Sequence, residues 1–163
     1  MKKKLLFLFS GFLFLLLSIS IGRAESTSLT SQPPMAPDVQ VEAPDPGLPT
    51  EVKAFSGKWR GRWFDPGGGL IQGLNAIIVV EKIIDPENAI IINAWGDSPE
   101  RNVKKGVFKY KARIGKNLQG VTELSYSTRS GRNFRFTVSP EGRLHGTTKT
   151  IGMPSYIEMD RFE

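Results

Sequence analysis

Cysteine is absent from the 163 residues, and that omission excludes disulfides, thiolate nucleophiles and thiolate-ligated metals together. It also excludes a cysteine-linked lipid anchor. Histidine is nearly absent: His145 stands alone, so a catalytic zinc site built from several imidazoles is excluded. A Ser-His-Asp triad survives the count, but no Gly-x-Ser-x-Gly elbow occurs and no serine is marked out. His145 shares a strand face with Arg143 and Thr147 and reads as rim- or surface-facing. No Asp-rich loop has calcium-site spacing. No cofactor and no metal is therefore expected. Nucleic-acid binding is disfavoured by a modest net charge and the lack of a recognised motif.

What is present begins with Lys2, Lys3 and Lys4, an uncharged apolar stretch over residues 5–21, and then Gly22-Arg23-Ala24. A basic start, a greasy segment and small residues around a cut site form the pattern of an export signal. The stretch is a few residues short of the roughly 20 that a full helical span needs. Residues 1–24 are thus read as a signal peptide cleaved after Ala24, or, uncut, as an anchor tethering the protein to a membrane through residues 5–21. The expected compartment is periplasmic or extracellular.

The formal net charge of +6 is unevenly spread. Lys2–Lys4 and Arg23 fall in the signal, and residues 25–50 carry Glu25, Asp38, Glu42 and Asp45 with no Lys or Arg. Residues 51–163 are modestly basic. Prolines 33, 34, 37, 44, 46 and 49 crowd the acidic segment. They remove backbone donors, and the composition buries too little apolar area to offset the ordering entropy. Residues 25–50 are expected to be a largely disordered acidic linker. The alternatives are that Val39 to Val41 add an edge strand, or that the acidic stretch shields a basic surface.

Residues 51–163 suit one small domain with one modest core. Long helical periodicity is missing; short apolar or alternating runs recur between turn residues instead, the signature of antiparallel β structure. Strands are expected over 57–64, 74–84, 89–95, 107–113, 118–128, 132–139, 143–150 and 156–161. Asp85-Pro86-Glu87-Asn88, Gly115-Lys116-Asn117, Ser130-Gly131 and Pro140-Glu141-Gly142 supply turn chemistry. The fold class is all-β: an antiparallel up-and-down barrel of about eight strands, since closure removes exposed edges. An open barrel or a small sandwich would give nearly the same string.

Gly57-Lys58-Trp59-Arg60-Gly61-Arg62-Trp63 is the most distinctive run. Alternation puts Trp59, Gly61 and Trp63 on one face, with the indoles about 13 Å apart at roughly 3.3 Å per residue. Gly61 leaves room for a large opposing side chain or a bend. Trp59 would then plug one end of the core and Trp63 would pack nearer the other rim or line a pocket. Lys58, Arg60 and Arg62 face the other way and, with Lys109, Lys111 and Arg113, form a candidate basic, anion-binding surface. Gly57-Lys58-Trp59 resembles the Gly-x-Trp that opens the first strand of small secreted calycin barrels, the lipocalin and avidin-like proteins. The resemblance implies a small barrel able to hold a compact ligand. The C-terminal helix of lipocalins has no counterpart here, and no ligand contacts carry over.

Leu74 to Val80 and Ala89 to Trp95 are apolar on both faces, whereas a half-buried strand in a free barrel should show one polar face. A loop, the linker, another subunit of a homo-oligomer or another protein is expected to cover the outside, with Ile77, Val79 and Ile91 as contact residues.

Trp95-Gly96 leads into the polar loop Asp97 to Lys105, and Asp65-Pro66-Gly67-Gly68-Gly69 forms the other long loop. A rim site would bring Trp63, Trp95, Asp97 and Asp65 together around a ligand. The favoured function is an exported, noncatalytic binding domain for a small molecule or an envelope component such as an anionic glycan or an envelope protein. One alternative is a protein-interaction module using the apolar strands of 74–92. Another is a small hydrolase or isomerase using carboxylates, for which Glu81, Glu123, Asp65 and Asp97 are the candidates. No catalytic residue is assigned.

Overall fold

The computed structural model describes residues 31–35, 39–69, 71–149 and 154–162; the proposed signal, residues 1–24, lies outside them. Eight antiparallel strands close into an up-and-down barrel in sequence order. They are β1 Gly57–Phe64, β2 Asn75–Asp85, β3 Asn88–Trp95, β4 Gly106–Lys116, β5 Thr122–Ser127, β6 Asn133–Val138, β7 Leu144–Lys149 and β8 Pro154–Phe162. The last strand pairs with the first, from Lys58↔Phe162 to Phe64↔Tyr156. The all-β fold class expected from alternation is the fold observed. Two short helical turns were not expected: α1, Thr50–Lys53, and a 3-10 turn over Pro99–Arg101 in the polar β3–β4 loop.

A meander sorts its connections by parity. The β2–β3, β4–β5 and β6–β7 turns share one end with α1. The longer β1–β2 and β3–β4 loops share the other end with the β5–β6 turn. At the first end, Trp59 is fully buried together with Phe55, Leu124, Leu144 and Met159. The Trp59 Nε1–H donates to the Phe55 carbonyl at 2.9 Å. The Arg161 guanidinium lies 4.1 Å from the indole centroid and donates to the carbonyls of Ser56 and Ala54. Burial lowers the Arg161 pKa from its ordinary value, yet an arginine stays charged. Its cation therefore sits on the ring face, where the π quadrupole attracts it. Gly61 pairs with Met159; a Cβ there would collide with the Glu158 carbonyl and crowd the Met159 side chain. The room left by this glycine is taken up by β8 itself.

The β2–β3 hairpin carries register shifts between Val80 and Lys82 and between Ile83 and Asp85. Strict alternation from Ile78 and Val80 would turn Lys82 inward. The bulge adds a residue, so that Ile83 enters the core and Lys82 stays in solvent. Paired residues share a face, and Val80↔Ile91 and Val79↔Ile92 are both pairs. Ile91 belongs to the interior cluster with Val80, which corrects its expected place on an outer contact surface. The outward partner of Val79 is Ile92. Val79 is 0% exposed and Ile92 7%, although neither belongs to the interior cluster.

The cover comes from the chain's own acidic segment. Ser31 is bonded at one end of this outer face: its N–H reaches the Asp97 carbonyl at 3.2 Å, and its carbonyl accepts from Asn75 Nδ2 at 3.4 Å. Gly96 lets the backbones meet, since a Cβ there would collide with the Ser31 carbonyl. At the other end the Glu42 N–H donates to the Glu81 carbonyl at 2.7 Å, and the Glu42 carboxylate pairs with Lys82 at 2.7 Å. Pro33 is buried, Val39 and Val41 are partly buried, and Leu48 packs against the core. Over its described residues the expected linker forms no strand, because a closed barrel leaves no edge to join, and its last residue, Thr50, begins α1. The segment is attached to the barrel rather than free. The burial of Val79 and Ile92 supplies the apolar contact that composition alone did not reveal.

Candidate functional site

The end of the barrel opposite Trp59 is not packed solid. A cavity of about 520 Å3 opens there. Trp63 of β1, Ile71 and Leu74 of the β1–β2 loop, and Phe134 of β6 form part of its wall. Asn93 and Trp95 of β3, Val103 of the β3–β4 loop, and Phe108 and Tyr110 of β4 complete the apolar side. Thr128, Arg129, Ser130 and Arg132 of the β5–β6 turn form the polar side.

The opening follows from strand pairing. β4 pairs with β3 along its length, from Asn88↔Arg113 to Trp95↔Gly106. It pairs with β5 only from Arg113↔Ser125 to Lys116↔Thr122. From Gly106 to Ala112, β4 thus has a strand neighbour on one side only. Phe108 and Tyr110 project toward the lumen there beside the β5–β6 turn, and Phe108 remains 47% exposed.

Aromatic rings form a continuous wall. Trp95 stacks on Phe108 with centroids 5.6 Å apart and planes 14° apart. Tyr110 stacks on Tyr126 at 5.0 Å, and Tyr126 on Phe134 at 5.1 Å and 9°. Trp63 meets Phe134 edge-on at 5.6 Å. These are the offset and edge geometries that ring quadrupoles favour. The Trp95 Nε1–H donates to the Lys104 carbonyl at 2.9 Å, which fixes the indole and leaves its apolar body to the cavity.

Polar groups in this wall are few. Asn93 is 8% exposed, roughly 7 Å deeper than Trp95 at two residues' rise. It borders the open cavity, so its amide is available to whatever fills that space. Tyr126 Oη, behind Tyr110 and Phe134, is buried without a partner among the described residues. Burial pushes the Tyr126 phenol well above its ordinary value, with Tyr110 adding to the shift. Burial also raises Tyr110, against a smaller lowering by the Arg129 charge. Both rings are therefore neutral hydrogen-bond donors at neutral pH.

Of the four residues expected around a ligand, the two tryptophans line the cavity and the two aspartates do not. The Asp65 carboxylate accepts from the Gly67 N–H at 3.1 Å, closing an Asx turn. Asp97 accepts from the Lys105 N–H at 2.6 Å and from the Ser31 hydroxyl at 3.1 Å. Both carboxylates hold the rim loops in place. Asn93, Tyr110, Arg129 and Arg132 were missed: alternation from Trp95 marks the face of Asn93, whereas Tyr110, Arg129 and Arg132 reach the cavity only through barrel closure.

The basic residues do not merge into one surface. Lys58, Arg60 and Arg62 point outward from β1, and Lys109 and Lys111 from β4, with β2 and β3 between the two rows. Four adjacent strands put these rows about 14 Å apart. Lys109 is paired with Glu81 at 2.7 Å, and Arg62 donates to the Gly73 carbonyl at 2.7 Å. The carboxylates weighed for acid-base chemistry are likewise dispersed. Glu81 meets Lys109, Glu123 lies 3.8 Å from Arg135, and Asp65 and Asp97 serve their loops. His145 is exposed on β7 opposite Thr137 and Glu158.

No protein-family model matches the chain, and no curated protein is similar to it.

Proposed function

We propose that this barrel is a noncatalytic binding protein for a compact, largely apolar molecule, held at the open end between Trp63, Trp95, Tyr110 and Phe134. The observation that carries this reading is a cavity of about 520 Å3 with aromatic walls and the amide of Asn93 in its lining. Volumes of a few hundred Å3, apolar linings and few placed polar groups characterise small-molecule sites. Asn93 would orient a polar group of the ligand, and the aromatic planes would supply contact area at low entropic cost. The resemblance of Gly57-Lys58-Trp59 to the calycin opener points the same way. The signal-like pattern of residues 1–24 supports work outside the cytoplasm, where a binding domain held by no cross-link must rely on its core. An interaction module built on residues 74–92 is the weaker reading, since the outward Val79 and Ile92 are already buried and the chain's own segment is bonded at both ends of that face.

The test is native mass spectrometry of protein purified without denaturation, followed by tryptophan-fluorescence titration with whatever is retained. A stoichiometric small-molecule adduct, lost in Trp63→Ala and Asn93→Leu variants that remain folded, is the expected outcome. Failure to retain or bind any small molecule, with a partner protein captured in its place, would transfer the function to the outer surface.

A further inference from the structure

We infer that the ligand of this cavity is a planar aromatic anion, its rings against the Trp95–Phe108–Tyr110 wall and its acidic group at Arg129 and Arg132. The inference rests on the binding reading above and specifies the chemistry of the same site.

The cavity is chemically two-sided. One side is rings and aliphatic side chains; the other is the β5–β6 turn, with Thr128, Arg129, Ser130 and Arg132 in its lining. Among the described residues no Asp or Glu lines the cavity. Among the described residues neither Arg129 nor Arg132 forms an ion pair, whereas Arg135 and Arg143 do. The nearby rim carboxylates, Asp65 and Asp97, are engaged by backbone amides of their own loops. Two arginines in the lining of an apolar cavity, neither paired with a carboxylate among the described residues, favour a ligand that supplies an anion, and guanidinium forks suit carboxylate, sulfonate and phosphate oxygens.

The turn that carries these cations is braced. The Thr128 N–H donates to the Arg132 carbonyl at 2.9 Å, and the Gly131 N–H to the Thr128 carbonyl at 3.0 Å. The Thr128 hydroxyl accepts from the Arg132 N–H at 3.1 Å and lies 2.9 Å from the Ser130 hydroxyl. Arg129 and Arg132 thus start from a defined backbone, which lowers the ordering cost of gripping an anion. On the facing side the near-parallel Trp95 and Phe108 planes fit flat rings better than a branched or bulky group.

Two fluorescent probes separate this inference from the reading beneath it: anilinonaphthalene sulfonate and its uncharged parent, phenylnaphthylamine. Both are titrated against the full chain, the double variant Arg129→Gln/Arg132→Gln, and Lys149→Gln as an outer-surface charge control. The expected result is that the sulfonate binds about tenfold or more tighter than the parent, as a charge-assisted contact allows. The double variant then reduces the sulfonate to the parent's level, while Lys149→Gln changes neither affinity. Equal affinity for the two probes overturns the anion inference and leaves the cavity reading standing, as does selectivity that survives in the double variant or vanishes in Lys149→Gln. Binding of neither probe overturns both. Far-ultraviolet circular dichroism, together with retained binding of the parent, shows that the double variant is folded.

Discussion

Trp59 and Trp63 stand four residues apart on the same strand, face the same way, and meet opposite surroundings. Trp59 is enclosed by α1, by β8 and by the Arg161 guanidinium on its ring face. Trp63 has Phe134 against one edge and the cavity beside it. Their difference is that between the two ends of the barrel. Tight turns and a short helix close one end; longer loops and the β4 stretch lacking a β5 partner open the other. One end is filled and the other is left open, although the strand alternation is the same at both.

Replacing the tryptophans one at a time breaks this comparison most directly. Trp59→Ala is expected to cost about 3–5 kcal/mol, because it leaves a large void and strands the Phe55 carbonyl and the Arg161 cation. Denaturant unfolding measures it, and a loss below about 1 kcal/mol would refute the plug assignment. Removal of residues 25–44 should come next. It uncovers Val79 and Ile92, each worth about 1.5–3 kcal/mol on full burial, so the shortened barrel should unfold earlier and self-associate in light scattering. A monomer of unchanged stability would mean that the segment is not the cover.

Trp63→Ala should have a smaller effect on folding, about 1–2 kcal/mol, because part of the ring already borders open space. Its effect on ligand affinity should be about tenfold or more. Equal losses of binding and stability would make Trp63 a core residue like Trp59 and erase the contrast between the ends. The smallest effect belongs to Tyr126→Phe. Removing a buried hydroxyl without a partner is expected to be neutral or to stabilise by up to about 1 kcal/mol. It should also flatten the alkaline limb of the stability curve. The folded-state pKa of Tyr126 is raised, so its contribution is fully present below the unfolded-state value of about 10 and is lost as pH rises toward the folded value. An unchanged alkaline limb in Tyr126→Phe would show that the phenol does not titrate late.

The cover on β2 and β3 shows where reading the residues in order stops. That both strands were apolar on two faces was visible from Leu74 to Val80 and from Ala89 to Trp95, and it required something outside the barrel. Which residues faced out was harder to read. When both faces are apolar, parity loses its signal, and a bulge such as the one between Val80 and Lys82 reverses it. Ile91 lies on β3, which alternates without a break from Asn88 to Trp95, so it shares the inward face of Trp95 and Ile92 faces out. Composition gave residues 25–50 as a linker and could not show where Ser31 and Glu42 attach, because the strands they meet lie more than thirty residues away. At the site, aromatic residues at strand ends revealed Trp63 and Trp95. Asp65 was misread despite the Asp-Pro-Gly spacing that makes an Asx turn plausible.

By itself the sequence determined the strand alternation, most of the turns, the absence of thiol and multi-histidine chemistry, and the side of β1 on which each tryptophan lies. These are local matters of side-chain period and backbone preference. Only the tertiary structure decided that the sheet closes, that one end is filled and the other open, and that Asn93, Arg129 and Arg132 meet Trp63 across the lumen. Closure brings together residues far apart in the chain, and the length of pairing between β4 and β5 sets the opening. Neither leaves a trace in the short-range order of residues.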